Sequence, residues 1–244
     1  MELSKWSGRS VRRSAAPVSR QQVEQEEAGS SGQTFPGPAK VVLASRNRRK
    51  VKELNLLLAE APWTLIALDD ASGGSEVRWV ENGSTYRQNA AIKARAVARG
   101  TGLPALADDS GLELRALGGF PGIRTSRWLG DGATEEELRT AISARVAQLP
   151  PNSRQATFVC VLALAVVDVA GESTLRYAEG RVEGDLLPVP RGEGGFGYDP
   201  IFVPTGQRLT MAEMSQKEKD SWSHRGRAAR ELIRRIAGTI TSGT

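Results

Sequence analysis

The chain has one cysteine and one histidine in 244 residues, few aromatic side chains (5%), and no long apolar run. Each shortage excludes something. With Cys160 alone there is no disulfide framework, so the expected setting is cytoplasmic. A lone histidine such as His224 is ordinarily structural or on the surface. The longest apolar stretch, Phe158 to Val167, is too short to span a bilayer and suits a buried strand, so no membrane partner is expected. Nothing near the start resembles the apolar core of a secretory signal.

What is present is a basic balance, 33 Lys+Arg against 28 Asp+Glu. This favours anionic partners without distinguishing nucleic acid from small phosphates. Much of the excess carries no information about a site. Arg12, Arg13 and Arg20 fall near the start, and Arg227, Arg230, Arg234 and Arg235 recur along a terminal helix on its solvated face.

Residues 1–38 are rich in Ser, Gly, Gln, Glu and Arg and lack apolar periodicity. Such a segment buries too little surface to offset its ordering entropy, so it reads as a disordered extension or as the product of a start codon set too far upstream. The folded domain is expected over residues 39–240. Lys40 to Ser45 reads as a strand, then Asn47 caps a helix to about Ala61 with Leu54, Leu57 and Leu58 inward. Trp63 to Leu68 is a second strand. Thr85 to Arg99 is a helix burying Tyr86, Ala90, Ala94 and Val97. Leu103 to Ala107 is a short strand ending at an acidic pair. A helix over Glu135 to Gln148 precedes strands near Gln155 to Val167 and Ser173 to Leu187, joined by a turn at Ala170-Gly171. A helix over Trp222 to Ala237, capped by Ser221 or Ser223, ends the domain. Early strand–helix alternation and a late hairpin predict an α/β fold with a mixed sheet.

Several segments bear chemistry. Ser45-Arg46-Asn47-Arg48-Arg49-Lys50 lies where strand one turns into helix one, and there free N–H groups and the helix dipole favour phosphate. Glu81-Asn82-Gly83 precedes Asn89 and Lys93, which share a helix face and suit a metal–phosphate complex. Leu106-Ala-Asp-Asp-Ser-Gly-Leu112 delivers two carboxylates and a hydroxyl to the end of a strand, where α/β proteins bind ligands. Adjacent carboxylates repel unless a cation lies near, and Mg2+ prefers a few carboxylates plus water and phosphate. Such a metal with a carboxylate beside it can deprotonate water for attack on phosphorus. Gly118 to Gly122, followed by Arg124, Ser126 and Arg127, fits a loop that closes over the site or one that turns the chain. Phe196-Gly197-Tyr198-Asp199 offers an aromatic face to a base and a carboxylate to a ring N–H. Lys219 and His224-Arg225 open the last helix, where His224 is placed to donate to a purine carbonyl.

In register these motifs are Ser45-x-Asn47-x-x-Lys50, Glu81-x-Gly83 before Asn89-Ala-x-x-Lys93, Ala107-Asp-Asp-Ser-Gly-Leu112, Gly195-Phe-Gly-Tyr-Asp-Pro200 and Ser223-His-Arg-Gly226. Together they resemble the inosine/xanthosine triphosphate pyrophosphatase family (Ham1-like), over roughly Val41 to Ile236. The resemblance implies a two-lobed ITPase-like fold around a long mixed sheet with flanking helices, as a homodimer. It implies a Mg2+-dependent hydrolase that splits deaminated purine nucleoside triphosphates (ITP, dITP, XTP) into monophosphate and pyrophosphate. On that basis Glu81 and Asp109 are metal ligands, with Asp109 also the general base. Ser45 to Lys50 bind phosphate, Ser110 contacts substrate, Phe196 to Asp199 hold the base with Phe196 stacking, and Lys219, His224 and Arg225 make further substrate contacts. Arg46 stands where a small residue is common.

Two other readings compete. A Maf-like pyrophosphatase for modified pyrimidine nucleotides fits the late motifs poorly. A nucleic-acid-binding module gives no reason for Asp108, Asp109 and Glu81 to converge, so no nucleic-acid partner is expected.

Overall fold

The structure, a computed structural model, describes residues 39–167 and 173–240. The expected N-terminal extension and the Ala170-Gly171 turn lie outside the described residues. Seven strands form one mixed sheet: β1 Ala39–Leu43, β2 Trp63–Ala67, β3 Ala105–Leu114, β4 Phe120–Gly122, β5 Gln155–Val167, β6 Ser173–Leu186 and β7 Phe202–Pro204. Their order is β2-β1-β3-β5-β6-β7, with β4 on the edge of β3. β1 pairs in parallel with β2 and β3, and all other pairings are antiparallel. Five helices accompany it among the described residues: α1 Arg48–Leu57, α2 Tyr86–Thr101, α3 Glu135–Ala147, α4 Gln216–Trp222 and α5 His224–Ile240.

Local chemistry explains the helix ends. Asn47 Oδ1 accepts from the N–H groups of Arg49 and Lys50 at the start of α1. That helix stops at Leu57, short of the expected Ala61, with Leu58 as its C-cap. Leu54 and Leu58 are buried, as expected, and Leu57 is half-buried. Thr85 caps α2, whose buried face carries Tyr86, Ala90, Ala94 and Val97 as the periodicity requires. Thr134 and Glu137 form a reciprocal capping box at α3. The terminal helix expected from Trp222 to Ala237 is instead two helices. Ser223 adopts extended backbone between them and its hydroxyl accepts from Gly226 N–H at 2.9 Å.

The larger departure concerns β3. The polar run after Ala107 reads as the end of a strand, yet β3 continues to Leu114. Its ladder with β5 supplies an antiparallel partner for every residue from Ala105 to Leu114, which overrides the local turn preference of Asp-Asp-Ser-Gly. On its other edge β3 meets β1 only at Ala105 and Leu106, and β4 only from Leu112 onward. Asp108, Asp109 and Ser110 thus occupy a notch in that edge, just past the end of the parallel strand.

The core has three parts. One face of the sheet packs on α2 through Val42, Ala107 and Val161 against Ala90, Ala94 and Val97. The other packs on α1 and α5 through Leu43, Leu106 and Leu162 against Leu54, Ala228 and Leu232. At the far end of the long strands, Leu112, Phe158 and Val182 pack on Leu138 and Ile142 of α3 and on Phe202, forming the second lobe. Close packing of α5 depends on Gly180 in β6, where a Cβ would lie 2.1 Å from the His224 carbonyl oxygen.

Candidate active site

Strand alternation divides the acidic pair between the two faces of the sheet. Asp108 points to the α1–α5 side, where its Oδ2 lies 2.8 Å from Arg225 Nε and 3.3 Å from Lys50 Nζ. Its Oδ1 accepts from the Ser110 hydroxyl. Burial alone would raise the Asp108 pKa, but Lys50 and Arg225 overcome it and hold the carboxyl well below the usual range. Asp109 points to the α2 side. Its Oδ1 lies 2.6 Å from Lys93 Nζ, while its buried Oδ2 has no partner. Burial pushes the Asp109 pKa up, opposed in part by the Lys93 ammonium.

Glu81 reaches the same ammonium, 3.1 Å from its Oε1, and its Oε2 accepts from Arg127. Asn89 builds this arrangement: it is fully buried, and its Oδ1 accepts from Gly83 N–H at 2.9 Å, pinning the Glu81 loop to the helix that carries Lys93. Burial opposes ionisation of Glu81, but Lys93 and Arg127 lower its pKa nonetheless. Lys93 is held protonated by Asp109 and Glu81 despite its burial. No group of three or more His, Cys, Asp and Glu side chains forms a ligand cage among the described residues. Two carboxylates within reach of one cation, one of them with an unpartnered buried oxygen, do fit the donor set that Mg2+ takes when phosphate and water complete its shell.

The loop from Ser45 to Lys50, expected to bind phosphate, is divided in its exposure. Asn47 and Lys50 line the cleft in front of Asp109. Ser45 shapes the turn, its hydroxyl accepting from Asn47 N–H. Arg46 points away, donating to the Val77 carbonyl at 2.8 Å and lying over Trp79, while Arg48 borders a separate surface depression with Asp69 and Asp70. Arg49 pairs with Glu135 across the cleft mouth. Of these six residues, Asn47 and Lys50 line the cleft in this structure.

At the other end, Phe196 presents a half-buried ring with Lys219 Nζ and the Arg225 guanidinium carbon each 5.0 Å from its centroid. Asp199 is buried, accepts from Phe196 N–H and pairs with Lys219 at 2.9 Å. Burial raises its pKa against the pull of Lys219. Tyr198 is buried beneath the loop rather than free to stack. Its hydroxyl donates to the Thr125 carbonyl and accepts from Trp128 Nε1, and burial pushes its pKa up to about 12. His224 stacks on Phe158 with ring centroids 4.6 Å apart. Burial, reinforced by Arg225, pushes its pKa well below 6.5, so the imidazole is neutral, and its buried Nδ1 has no partner.

Glu53 joins the two ends and was not anticipated. It is buried, pairing through Oε1 with Lys219 at 3.2 Å and through Oε2 with Arg225 at 3.1 Å. A continuous chain of charges thus runs Asp108–Arg225–Glu53–Lys219–Asp199. Its one sequence signal is a carboxylate three residues after Lys50, beside the leucine stripe of α1. Lys93, expected beside a metal–phosphate complex, and Arg127, expected in a loop that closes over the site or turns the chain, also line the cleft, as does Phe158, expected only within a buried strand. The cleft holds about 850 Å³ of empty space, part of it open to solvent.

A profile of the Ham1 family matches residues 41–235. The chain belongs to the Ham1 family. It is 46% identical over 210 residues to a Frankia alni protein named dITP/XTP pyrophosphatase, covering 83% of this chain and all of that one. A Thermus thermophilus protein of the same name is 48% identical over 194 residues, covering 80% and 90%. Among solved structures, a HAM1 protein from Coxiella burnetii superposes with a TM-score of 0.70 at 40% identity, covering 82% of this chain and 99% of the other. The Staphylococcus aureus Ham1 protein gives 0.69 at 32% identity, covering 82% and 98%. In this Ham1 chain each of the five sequence motifs contributes at least one side chain to the single cleft described above.

Proposed function

We propose that this chain hydrolyses deaminated purine nucleoside triphosphates, ITP, dITP and XTP, to the nucleoside monophosphate and pyrophosphate. The names of its Frankia and Thermus relatives support the substrate class, and do not favour the Maf-like alternative. The observation that carries the chemistry is the asymmetry of the acidic pair: Asp108 has both oxygens engaged, one by Lys50 and Arg225 and the other by the Ser110 hydroxyl, whereas Asp109 keeps a buried oxygen without a partner and a raised pKa.

On this reading Glu81 and Asp109 would hold Mg2+, which when bound would offset charge on the phosphate chain. Asp109 Oδ2 accepts the proton of a water whose oxygen bonds to the α-phosphorus. The bond from that phosphorus to the bridging oxygen breaks, and its electron pair leaves with pyrophosphate. Lys50 and Lys93 counter the negative charge that builds on the phosphates. At the base end, Phe196 supplies a stacking face, and His224 and Arg225, which line the cleft, supply donors toward a six-position carbonyl, while Lys219 is held beside the ring by Glu53 and Asp199. Adenine, with an amino group there, would leave such donors unpaired at about 1–3 kcal/mol each.

The test is a screen of nucleoside triphosphates with the purified protein and Mg2+, reading pyrophosphate and orthophosphate separately. Pyrophosphate released from ITP well ahead of ATP is expected; equal turnover of the two would sink the specificity. A homodimer in the cytoplasm accompanies this reading, checked by sedimentation equilibrium and fractionation. No described helix is long and apolar enough to cross a membrane.

A further inference from the structure

The two peptide units flanking one glycine of the base loop are held by a single helix. Gly197 N–H donates to Glu135 Oε2 at 3.0 Å, and the Gly197 carbonyl accepts from Arg139 Nη1 at 3.1 Å. Glu135 and Arg139 are four residues apart on α3 and so share one face. Gly197 adopts a left-handed backbone with φ +62°, a conformation with little intrinsic preference over its alternatives for glycine. Two side chains therefore select the orientations of the Phe196–Gly197 and Gly197–Tyr198 peptides, and with them the backbone conformation of Gly197.

The same Glu135 oxygen accepts from Arg49 Nη1 at 2.8 Å. Arg49 lies in the first turn of α1, two residues after Asn47 and next to Lys50. A single carboxylate oxygen thus connects the phosphate loop of one lobe to the base loop of the other. An exposed ion pair of this kind contributes little to global stability. Its position at the mouth of the cleft gives it another use.

We propose that Glu135 and Arg139 are positioning residues which fix the two peptides flanking Gly197 for nucleobase stacking, and that Glu135 through Arg49 makes the base and phosphate loops order together. The proposal rests on the purine nucleotide reading above. Neither residue touches the reacting atoms; each acts through the loop backbone.

The experiment is calorimetric titration of the full-length protein with IMP and, separately, with pyrophosphate in the presence of Mg2+. R139A is expected to weaken IMP binding about tenfold, the loss of roughly one charge-assisted hydrogen bond, and to leave pyrophosphate binding within about twofold. E135A is expected to weaken IMP similarly, whereas E135Q, which retains an oxygen for Gly197 N–H, largely restores it. The penalty of R49A on IMP binding is expected to shrink in the E135Q background, a non-additivity that isolates the link between the loops. E136Q, which removes a neighbouring carboxylate from the same helical turn but outside the cleft, controls for helix-end charge. Equal losses of IMP and pyrophosphate in R139A, unchanged IMP affinity in R139A and E135A, or an R49A penalty independent of Glu135 would each overturn the proposal. Failure of the unmodified protein to bind IMP would instead bring down the functional reading on which it rests.

Discussion

Asp108 and Asp109 are consecutive in the chain, yet Arg225 Nε sits 2.8 Å from the first carboxylate and Lys93 Nζ 2.6 Å from the second, on opposite faces of one sheet. Asp108 is bound into the protein, and Asp109 is presented to the cleft.

Substitution should separate the two roles. Asp109→Asn is expected to retain the fold and lose about 10²–10⁴ of the hydrolytic rate, as for removal of a general base. Asp108→Asn leaves Arg225 and Lys50 without their shared anion, and breaking such a buried pair costs about 3–5 kcal/mol. Thermal melts read beside pyrophosphate release check both. A lower melting temperature in Asp109→Asn than in Asp108→Asn would reverse the assignment.

His224 makes stability depend on pH. Its folded pKa lies well below 6.5, so below about pH 6.5 the unfolded chain binds a proton that the folded chain does not. Stability from this group is therefore complete above that pH and falls on acidification, at up to about 1.4 kcal/mol per pH unit. Denaturant titrations of wild type and His224→Gln between about pH 7 and 5 should diverge with that sign. Since the chain has one histidine, its single imidazole signal by NMR should stay at the neutral position through pH 6.

Cys160 is fully buried, and burial first, then Asp108, raises its thiol pKa far above the ordinary value. The folded protein should leave an aromatic disulfide reagent unreacted, with one thiol titrating on denaturation. Rapid modification of the native protein would contradict the placement of β5.

Gly180→Ala should propagate to the site. The added Cβ would press on the His224 carbonyl, and that contact is backbone, so α5 must shift. An overpacking cost of about 1–3 kcal/mol is expected, together with a higher KM for ITP as His224 and Arg225 move. An unchanged KM would show that the start of α5 is not what places these side chains.

Much of the site was legible because its motifs are short and local. Asn47 caps α1, Thr85 caps α2, and Asn89 and Lys93 share a face because four residues make a helical turn. The misreadings have a common cause. Asp-Asp-Ser-Gly is good turn chemistry, but β5 offers that segment a full ladder, so β3 runs ten residues through it. Arg46 and Arg48 look like phosphate ligands by position, yet backbone direction sends them away from the cleft. Glu53 and Glu135 escaped notice because their partners lie far off in sequence: Glu53 is 172 residues from Arg225, and Glu135 is 62 residues from Gly197.

The sequence by itself determined the family, the mixed α/β class, the Asn47 cap and the candidate acidic residues, since each depends on spacing over a few residues or on motifs in order. The family resemblance singled out Asp109, and only the tertiary structure decided what physically distinguishes it from Asp108. Strand alternation places neighbours on opposite faces, but which face meets Lys50 and Arg225, and which meets Lys93, is settled by how α1, α2 and α5 pack on the sheet. The same packing gathers Glu53, Lys219 and Asp199 into one buried chain of charge, through contacts that no local pattern encodes.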